Sequence, residues 1–181
     1  MNFSYETKRL RIRVLNGTFA GQALRFYKED RELFESCEPL RVPNFYTENF
    51  HRYLMNYEYN QIIKGMMMRY WVFPKMEPGR IIGTVSLRNI MYGSYNKCEI
   101  GYKLSSAYHG KGYASEAIRR VIWIAFTELN LHRIEACCLP ENHASIRLLE
   151  ALNFQLEGRM RQYTQIQGQY RDHLLFSLLR S

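Results

Sequence analysis

Between Lys97 and Arg120 the chain reads KCEIGYKLSSAYHGKGYASEAIRR, and few architectures accept that succession of patterns. Cys98, Ile100, Tyr102 and Leu104 alternate with Glu99, Gly101 and Lys103, the period of a strand. His109-Gly110-Lys111-Gly112-Tyr113-Ala114 follows, and its two glycines let the backbone turn sharply and come close to a ligand with no Cβ in the way. Ala114, Ala117, Ile118, Val121, Ile122, Ala125, Phe126 and Leu129 then recur at three- and four-residue steps, as on one face of a helix. A helix that starts directly from a glycine loop aims unpaired N–H groups and the positive end of its dipole outward, which suits phosphate. Two glycines alone are equally compatible with a plain strand-to-helix turn. The loop is not a Walker loop, because Tyr113 stands where Gly-Lys would be followed by Ser or Thr. It is not a dinucleotide loop either, because Ser115 holds the third glycine's place.

The remaining pattern alternates strands and helices. Tyr5 to Leu15 reads as one strand with Leu10, Ile12 and Val14 facing in and Arg9, Arg11 and Arg13 facing out. Asn16-Gly17 is a turn, and Thr18 can cap a helix carrying Phe19, Ala23, Phe26 and Tyr27. Pro39 and Pro43 mark a loop, and Thr47 is the next N-cap, for a helix to about Lys64. The aromatics Phe45, Tyr46, Phe50, Tyr53, Tyr57 and Tyr59 fit core packing for the most part, with the lining of a binding site as the other role. Met66–Phe73 and Arg80–Arg88 are strands joined by a Pro- and Gly-bearing turn, and Arg133–Leu139 is the strand after the long helix. Ala144–Leu152 is a helix, and Phe154–Gln165 with Tyr170–Leu179 is a closing hairpin about Gln167-Gly168. No repeat or internal linker divides residues 1–181, so one domain is expected.

No apolar run is long enough to span a membrane, and the first fifteen residues alternate with arginine rather than forming a leader core. Cys37, Cys98, Cys137 and Cys138 show no C-x-x-C spacing, so a reduced, cytoplasmic chain without a metal or a disulfide framework is expected. The net charge of +8 suits a polyanionic ligand. Charge alone also admits nucleic acid, but the cations are scattered, without a basic run or an aromatic RNA-binding signature, and that partner is not expected.

The loop from His109 to Ala114 resembles the coenzyme A pyrophosphate loop, [Q/R]-x-x-G-x-[G/A], of the GNAT acetyltransferases. Gly112 and Ala114 match, and His109 departs from Gln or Arg. A second block, Arg133 to Phe154, resembles the strand, Asn-x-x-Ser helix start and L-E-x-L-G-F ending of the subgroup that acetylates ribosomal-protein N-termini, the RimJ/RimL type. Asn153 replaces the glycine there, an exchange that a left-handed helix end tolerates. The resemblance implies the α+β GNAT fold: one mostly antiparallel sheet of about seven strands flanked by four helices, with the fourth and fifth strands splayed apart. It also implies acetyl-CoA as co-substrate and an N-acetyltransferase acting on a primary amine, a protein or peptide α-amino group first among them. A polyamine, amino sugar or amino acid as acceptor, and a non-catalytic acyl-CoA-binding module, stay open. So does a monomer or a homodimer.

Chemistry then distributes the roles. Backbone N–H groups of Gly110, Lys111, Gly112, Tyr113, Ala114 and Ser115, with His109 beside them, would hold the pyrophosphate. The pantetheine arm would lie along Glu99–Leu104 as an added strand, with an N–H near Tyr102 or Leu104 facing the thioester carbonyl. By the resemblance Asn142 would bond the pantetheine amide, and N-capping is its plain role. Many family members protonate the leaving thiolate with a tyrosine seven residues after that asparagine. Here the position is Leu149, and Ser145, matching the subgroup's serine, is the expected donor or hydrogen-bonding partner of the sulfur, with capping of backbone N–H groups as its plain role. A peptide α-amine has a pKa of about 7.7–8.0, whereas neutralising a lysine side chain near 10.4 costs about 4 kcal/mol at neutral pH. A strand glutamate that serves as base in some relatives is replaced by Cys137, which leaves Glu99, directly or through water, as the candidate base, with a structural ion pair to a nearby Lys or Arg as its equal alternative. Direct transfer is expected, since no histidine is in sequence reach to activate Cys137 or Cys138.

Overall fold

The computed structural model describes residues 2–180. In chain order its elements are β1 (Ser4–Glu6), β2 (Leu10–Arg13), α1 (Ala20–Glu29), α2 (Arg31–Glu35), α3 (Glu48–Ile63), β3 (Met68–Pro74), β4 (Gly83–Met91), β5 (Lys97–Leu104), α4 (Tyr113–Thr127), β6 (Arg133–Cys138), α5 (His143–Ala151), β7 (Gln155–Ile166) and β8 (Gln169–Leu179). Single 3-10 turns lie at Gly17–Phe19 and Ser106–Tyr108. The strands form one sheet in the order β1-β2-β3-β4-β5-β6-β8-β7, antiparallel everywhere except between β5 and β6.

Three expectations need correction. The first strand is two, because Thr7 reverses the chain: its N–H donates to the Leu10 carbonyl and its hydroxyl accepts the Leu10 N–H, at 2.9 and 3.0 Å. Among the described residues the sheet therefore has eight strands rather than about seven. A fifth helix, α2, follows α1 directly and buries Phe34 against Phe26 at 5.0 Å between ring centres. Thr18 is not the cap it resembles. Asn16 is extended, and its side-chain oxygen accepts from Thr18 N, capping the 3-10 turn that leads into α1. Thr47 does cap α3, accepting from Phe50 N.

Strand alternation divides the apolar residues into two cores, one on each face. On β3, Met68, Tyr70 and Val72 pack with Ala117, Ile118, Val121 and Leu149 of α4 and α5. Trp71 and Phe73 of the same strand pack with Ala23, Phe26 and Tyr27 of α1, Phe34 and Met55. Phe45 joins this second core, with Tyr46 and Phe50 against it, whereas Tyr53 and Tyr57 face solvent. Among the described residues no helix is long and apolar enough to cross a membrane.

What positions the site is the short pairing of β5 with β6. It runs only through Lys97–Arg133, Cys98–Ile134 and Glu99–Glu135. Beyond it β5 stays with β4 as far as Leu104–Gly83, and β6 stays with β8 as far as Cys138–Leu174. Each strand is held on its outer side only, so a gap opens from Glu99 onward. The cap of α5 borders this gap, and Asn153, just beyond that helix, takes φ +66, the left-handed conformation expected of glycine there.

Candidate active site

One wall of the gap carries free backbone groups. Ser105 N donates to Ile82 O at 2.7 Å, so odd-numbered residues of β5 turn their N–H and C=O toward β4. Ile100, Tyr102 and Leu104 turn theirs into the gap. The Leu104 carbonyl there accepts from His109 Nε2 at 2.9 Å, which fixes the proton on that nitrogen. The Tyr102 and Leu104 N–H groups remain available to an extended ligand.

At the end of β5 the chain enters the glycine loop. Gly110 and Gly112 both have positive φ, +69 and +76, and a Cβ on Gly110 would meet open space. Gly112 starts α4 without a side-chain cap, leaving the first N–H groups of the helix, at Tyr113, Ala114 and Ser115, for an external anion. The Lys111 ammonium bonds the Ala107 carbonyl at 2.8 Å, and Arg119 bonds the Ala151 carbonyl at 3.1 Å.

Arg9 fixes this loop and had no signal in the sequence, since it lies a hundred residues away. Its Nη1 donates to Lys111 O at 2.8 Å, its guanidinium lies 4.3 Å from the Tyr113 ring centre, and its Nε and N–H both bond Glu116 at 2.7 Å. Burial pushes the Glu116 carboxyl up, but bonds from Thr7 and Arg9 outweigh it and hold the group below the usual carboxylate range.

Across the gap, Asn142 caps α5. Its Oδ1 accepts from Ser145 N at 3.1 Å, and its Nδ2 lies 3.8 Å from Cys37 Sγ. The Ser145 hydroxyl faces the phenol of Tyr102, whose pKa is pushed up to about 12 by burial, with Ser145 acting against that shift. Tyr102 was singled out for its backbone alone; its hydroxyl adds a second protonated oxygen beside Ser145. Burial first, then Glu99 and Glu135, push the Cys137 thiol up to about 11. Cys137 and Cys138 are both free.

The face of the sheet that α1 and α3 only partly cover is charged. Paired residues share a face, so Arg69, Ser86 and Gly101 form one row across β3, β4 and β5. Arg88, Glu99 and Glu135 form the next toward β6, and Trp71, Thr84 and Lys103 lie on the other side. Glu135 bonds Lys97 at 2.9 Å and Arg133 at 2.7 Å, and Arg133 also grips Glu157. Among the described residues Glu99 has no ion-pair partner. It lines an open cleft of about 400 Å³ with Met66, Asn89, Ile90, Met91 and Lys97. A hollow on α1, lined by Gly21, Leu24, Arg25, Lys28 and Glu29, brings no reactive group together. Among the described residues no cluster of His, Cys, Asp or Glu could hold a metal ion.

A sheet split between two strands, with uncapped helix N–H groups at its mouth and hydroxyls beside the opening, can accommodate an extended ligand that carries phosphate. Residues 9–155 match the family model described as an acetyltransferase (GNAT) domain, and the chain belongs to that family of N-acetyltransferases. It is 36% identical over 172 residues to "Probable N-acetyltransferase YjcK" of Bacillus subtilis (strain 168), covering 95% of this chain and 94% of that one. Its fold is similar to the ribosomal-protein-S5-alanine acetyltransferase from Vibrio fischeri, with TM-score 0.92 and 30% identity, covering 98% and 97% of the two chains. It is also similar to Mycobacterium smegmatis RimJ in complex with CoA-disulfide, with TM-score 0.88 and 25% identity, covering 94% and 81%.

Proposed function

We propose that this enzyme, working as one cytoplasmic domain, transfers the acetyl group of acetyl-CoA directly to the α-amino group of a protein or peptide N-terminus. The observation that carries the reading is the gap itself. It runs from the uncapped N–H groups of Tyr113–Ser115, past the inward N–H groups of Tyr102 and Leu104, to the unpaired carboxylate of Glu99. In that order the residues serve a pyrophosphate, a pantetheine arm with its thioester carbonyl, and an amine. The likeness to an enzyme named for ribosomal-protein S5 alanine supports the acceptor class.

Bound acetyl-CoA would supply an activated acyl group. The chain's residues do the rest. The N–H groups of Gly110 to Ser115 hold phosphate oxygens, and the α4 dipole adds to them. The N–H of Tyr102 or Leu104 donates to the carbonyl oxygen as negative charge grows on it. Asn142 Nδ2 donates to the arm, while its Oδ1 stays on the Ser145 amide. As the amine nitrogen bonds the acyl carbon and the carbon–sulfur bond breaks, Glu99 takes the amine's proton, directly or through water, and Ser145 gives a proton to the departing sulfur and regains one from water.

The test is thermal melting with acetyl-CoA, ATP or NAD, followed by mass spectrometry of N-terminal peptides. A rise selective for acetyl-CoA that grows with its concentration, together with peptides acetylated at the α-amine, is the expected result. A donor-selective rise with acetylation of small amines alone would move the acceptor to that class. Donor binding with no acetylation at all would leave a binding module.

A further inference from the structure

Directly opposite Glu99 on the sheet stands Arg88, and the two do not pair. The Arg88 guanidinium instead lies over Gly101: a Cβ on that glycine would come within 3.2 Å of Arg88 Nη2. Gly101 lies on the strip of β5 where pairing with β6 has already ended, so the guanidinium sits at the floor of the gap. Among the described residues Arg88 has no ion-pair partner, although it is one of four cations that cluster around Lys103. Lys103 and Arg41 share Glu38, and Arg69 bonds Glu58 at 3.1 Å. Counting the unpaired Glu99 opposite Arg88, these four cations meet three carboxylates, which leaves one positive charge in surplus, and Arg88 is the cation without an ion pair. The field of that surplus is felt nearby. Burial pushes the Lys103 ammonium down to about 8, and Arg69, Arg41 and Arg88 push it the same way.

Such a surplus is costly for the free protein and favours a ligand that brings negative charge. The segment carrying Glu38 and Arg41 is held over this floor by the β7–β8 turn, where Gln167 Nε2 donates to Glu35 O and Glu38 O at 2.8 and 3.2 Å. The cations are therefore positioned by four separate parts of the chain, β3, β4, β5 and the loop after α2, as a preformed recognition element requires.

Resting on the N-terminal acetylation reading above, we infer that Arg88, backed by Lys103 and Arg41, reads an acidic side chain at the second or third residue of the acceptor peptide while Glu99 takes the amine. Two residues along a strand span about 7 Å, so the Glu99 and Gly101 positions match an amine and a carboxylate on neighbouring residues of an extended peptide. The α-carboxylate of a free amino acid lies too close to its own amine to reach both. Glu99 and Arg88 thus act as a pair of opposite probes, and a lysine in place of the acidic residue would meet like charge.

The experiment uses peptides identical except for Glu, Gln or Lys at position two or three, with free glutamate as a further acceptor. Wild-type kcat/KM should favour Glu over Lys by at least about tenfold, the discrimination one charge-assisted bond can supply. In Arg88→Met the ratio should fall to within about threefold of unity, with the KM for acetyl-CoA unchanged. Arg25→Met, which removes the same charge from α1, should keep the wild-type ratio. Equal wild-type rates, or a ratio that survives Arg88→Met, would overturn the inference. Acetylation of free glutamate in preference to any peptide would overturn the peptide assignment. Calorimetry of acetylated product peptides on the CoA-bound protein reads the same preference without turnover. If no peptide is acetylated, an Arg88-dependent preference there upholds acidic recognition and refutes only the reaction; no preference refutes the recognition.

Discussion

Glu116 holds Arg9 twice, by a main-chain N–H and by the side-chain Nε, each at 2.7 Å, and so ties the first turn of α4 to the start of β2. Through Arg9 Nη1 the tie reaches the Lys111 carbonyl inside the glycine loop. Glu116→Ala leaves the Arg9 amide, the Arg9 guanidinium and the Thr7 hydroxyl without their acceptor. Loss of about 1–3 kcal/mol of stability is expected, read by urea denaturation. Acetyl-CoA affinity should fall as well, read by titration calorimetry. Wild-type affinity in this variant would mean that Arg9 does not organise the loop.

Gly112 occupies φ +76, where an L side chain costs about 1–2 kcal/mol, and a Cβ there would stand 3.3 Å from Arg9 Nη2. Gly112→Trp adds a bulky ring where phosphate is expected to bind. The rise in melting temperature with acetyl-CoA should disappear while the circular dichroism spectrum stays that of the wild type. An unchanged ligand-induced rise would remove the loop from the donor site.

Ser145 receives its structural bond through the main chain, so Ser145→Ala keeps the α5 cap. Only the hydroxyl beside Tyr102 is lost. We expect kcat to drop about 100-fold, the scale of one proton-transfer group, with the acetyl-CoA Kd unchanged. Ser145→Thr should restore part of the rate. Wild-type turnover in the alanine variant would pass the proton to the Tyr102 phenol, and Tyr102→Phe would then carry the loss.

Cys137 is a poor nucleophile where it stands, its thiol pushed up to about 11 by burial and the neighbouring carboxylates. Cys137→Ser should retain at least half the wild-type kcat, and initial-rate plots should intersect rather than run parallel. Parallel lines with loss of activity in the serine variant would establish an acyl-enzyme.

His51 is buried, stacked on Tyr27 at 5.1 Å and 15°. Burial, then Arg41 and Arg69, push its pKa down to about 4, whereas the unfolded value is about 6.5. Between those values the unfolded chain binds a proton that the folded one refuses. This group therefore costs no stability above about pH 6.5, and stability falls as pH drops toward 4, by on the order of 3 kcal/mol. His51→Phe should be flatter than wild type in this window when urea midpoints are compared. Parallel curves would mean that His51 is protonated in the folded protein.

Much of the fold was legible because local patterns and tertiary demands agree. The β5 alternation, the loop glycines, the α4 periodicity and the Thr47 cap each follow from spacings within a few residues, and the structure keeps them. The left-handed Asn153 was legible through the resemblance, because it stands where the family's motif has glycine. The Thr7 turn and α2 were not, because each depends on a short-range competition, Thr7 against strand continuation and Asp30–Phe34 against a loop, that hydrophobic period does not report.

By itself the sequence determined most of the order of strands and helices and the glycine loop that opens α4, since these depend on residue type and spacing along the chain, while Asn142 and Ser145 were singled out through the family resemblance. Only the tertiary structure decided that Arg9 clamps the loop, that Glu99 stays unpaired while Glu135 takes Lys97 and Arg133, and that Arg88 lies free over Gly101. Register is the physical reason. Which charges meet across a sheet depends on how far each strand slides against its neighbour, and that shift is fixed by the packing of whole faces rather than by any one stretch of sequence.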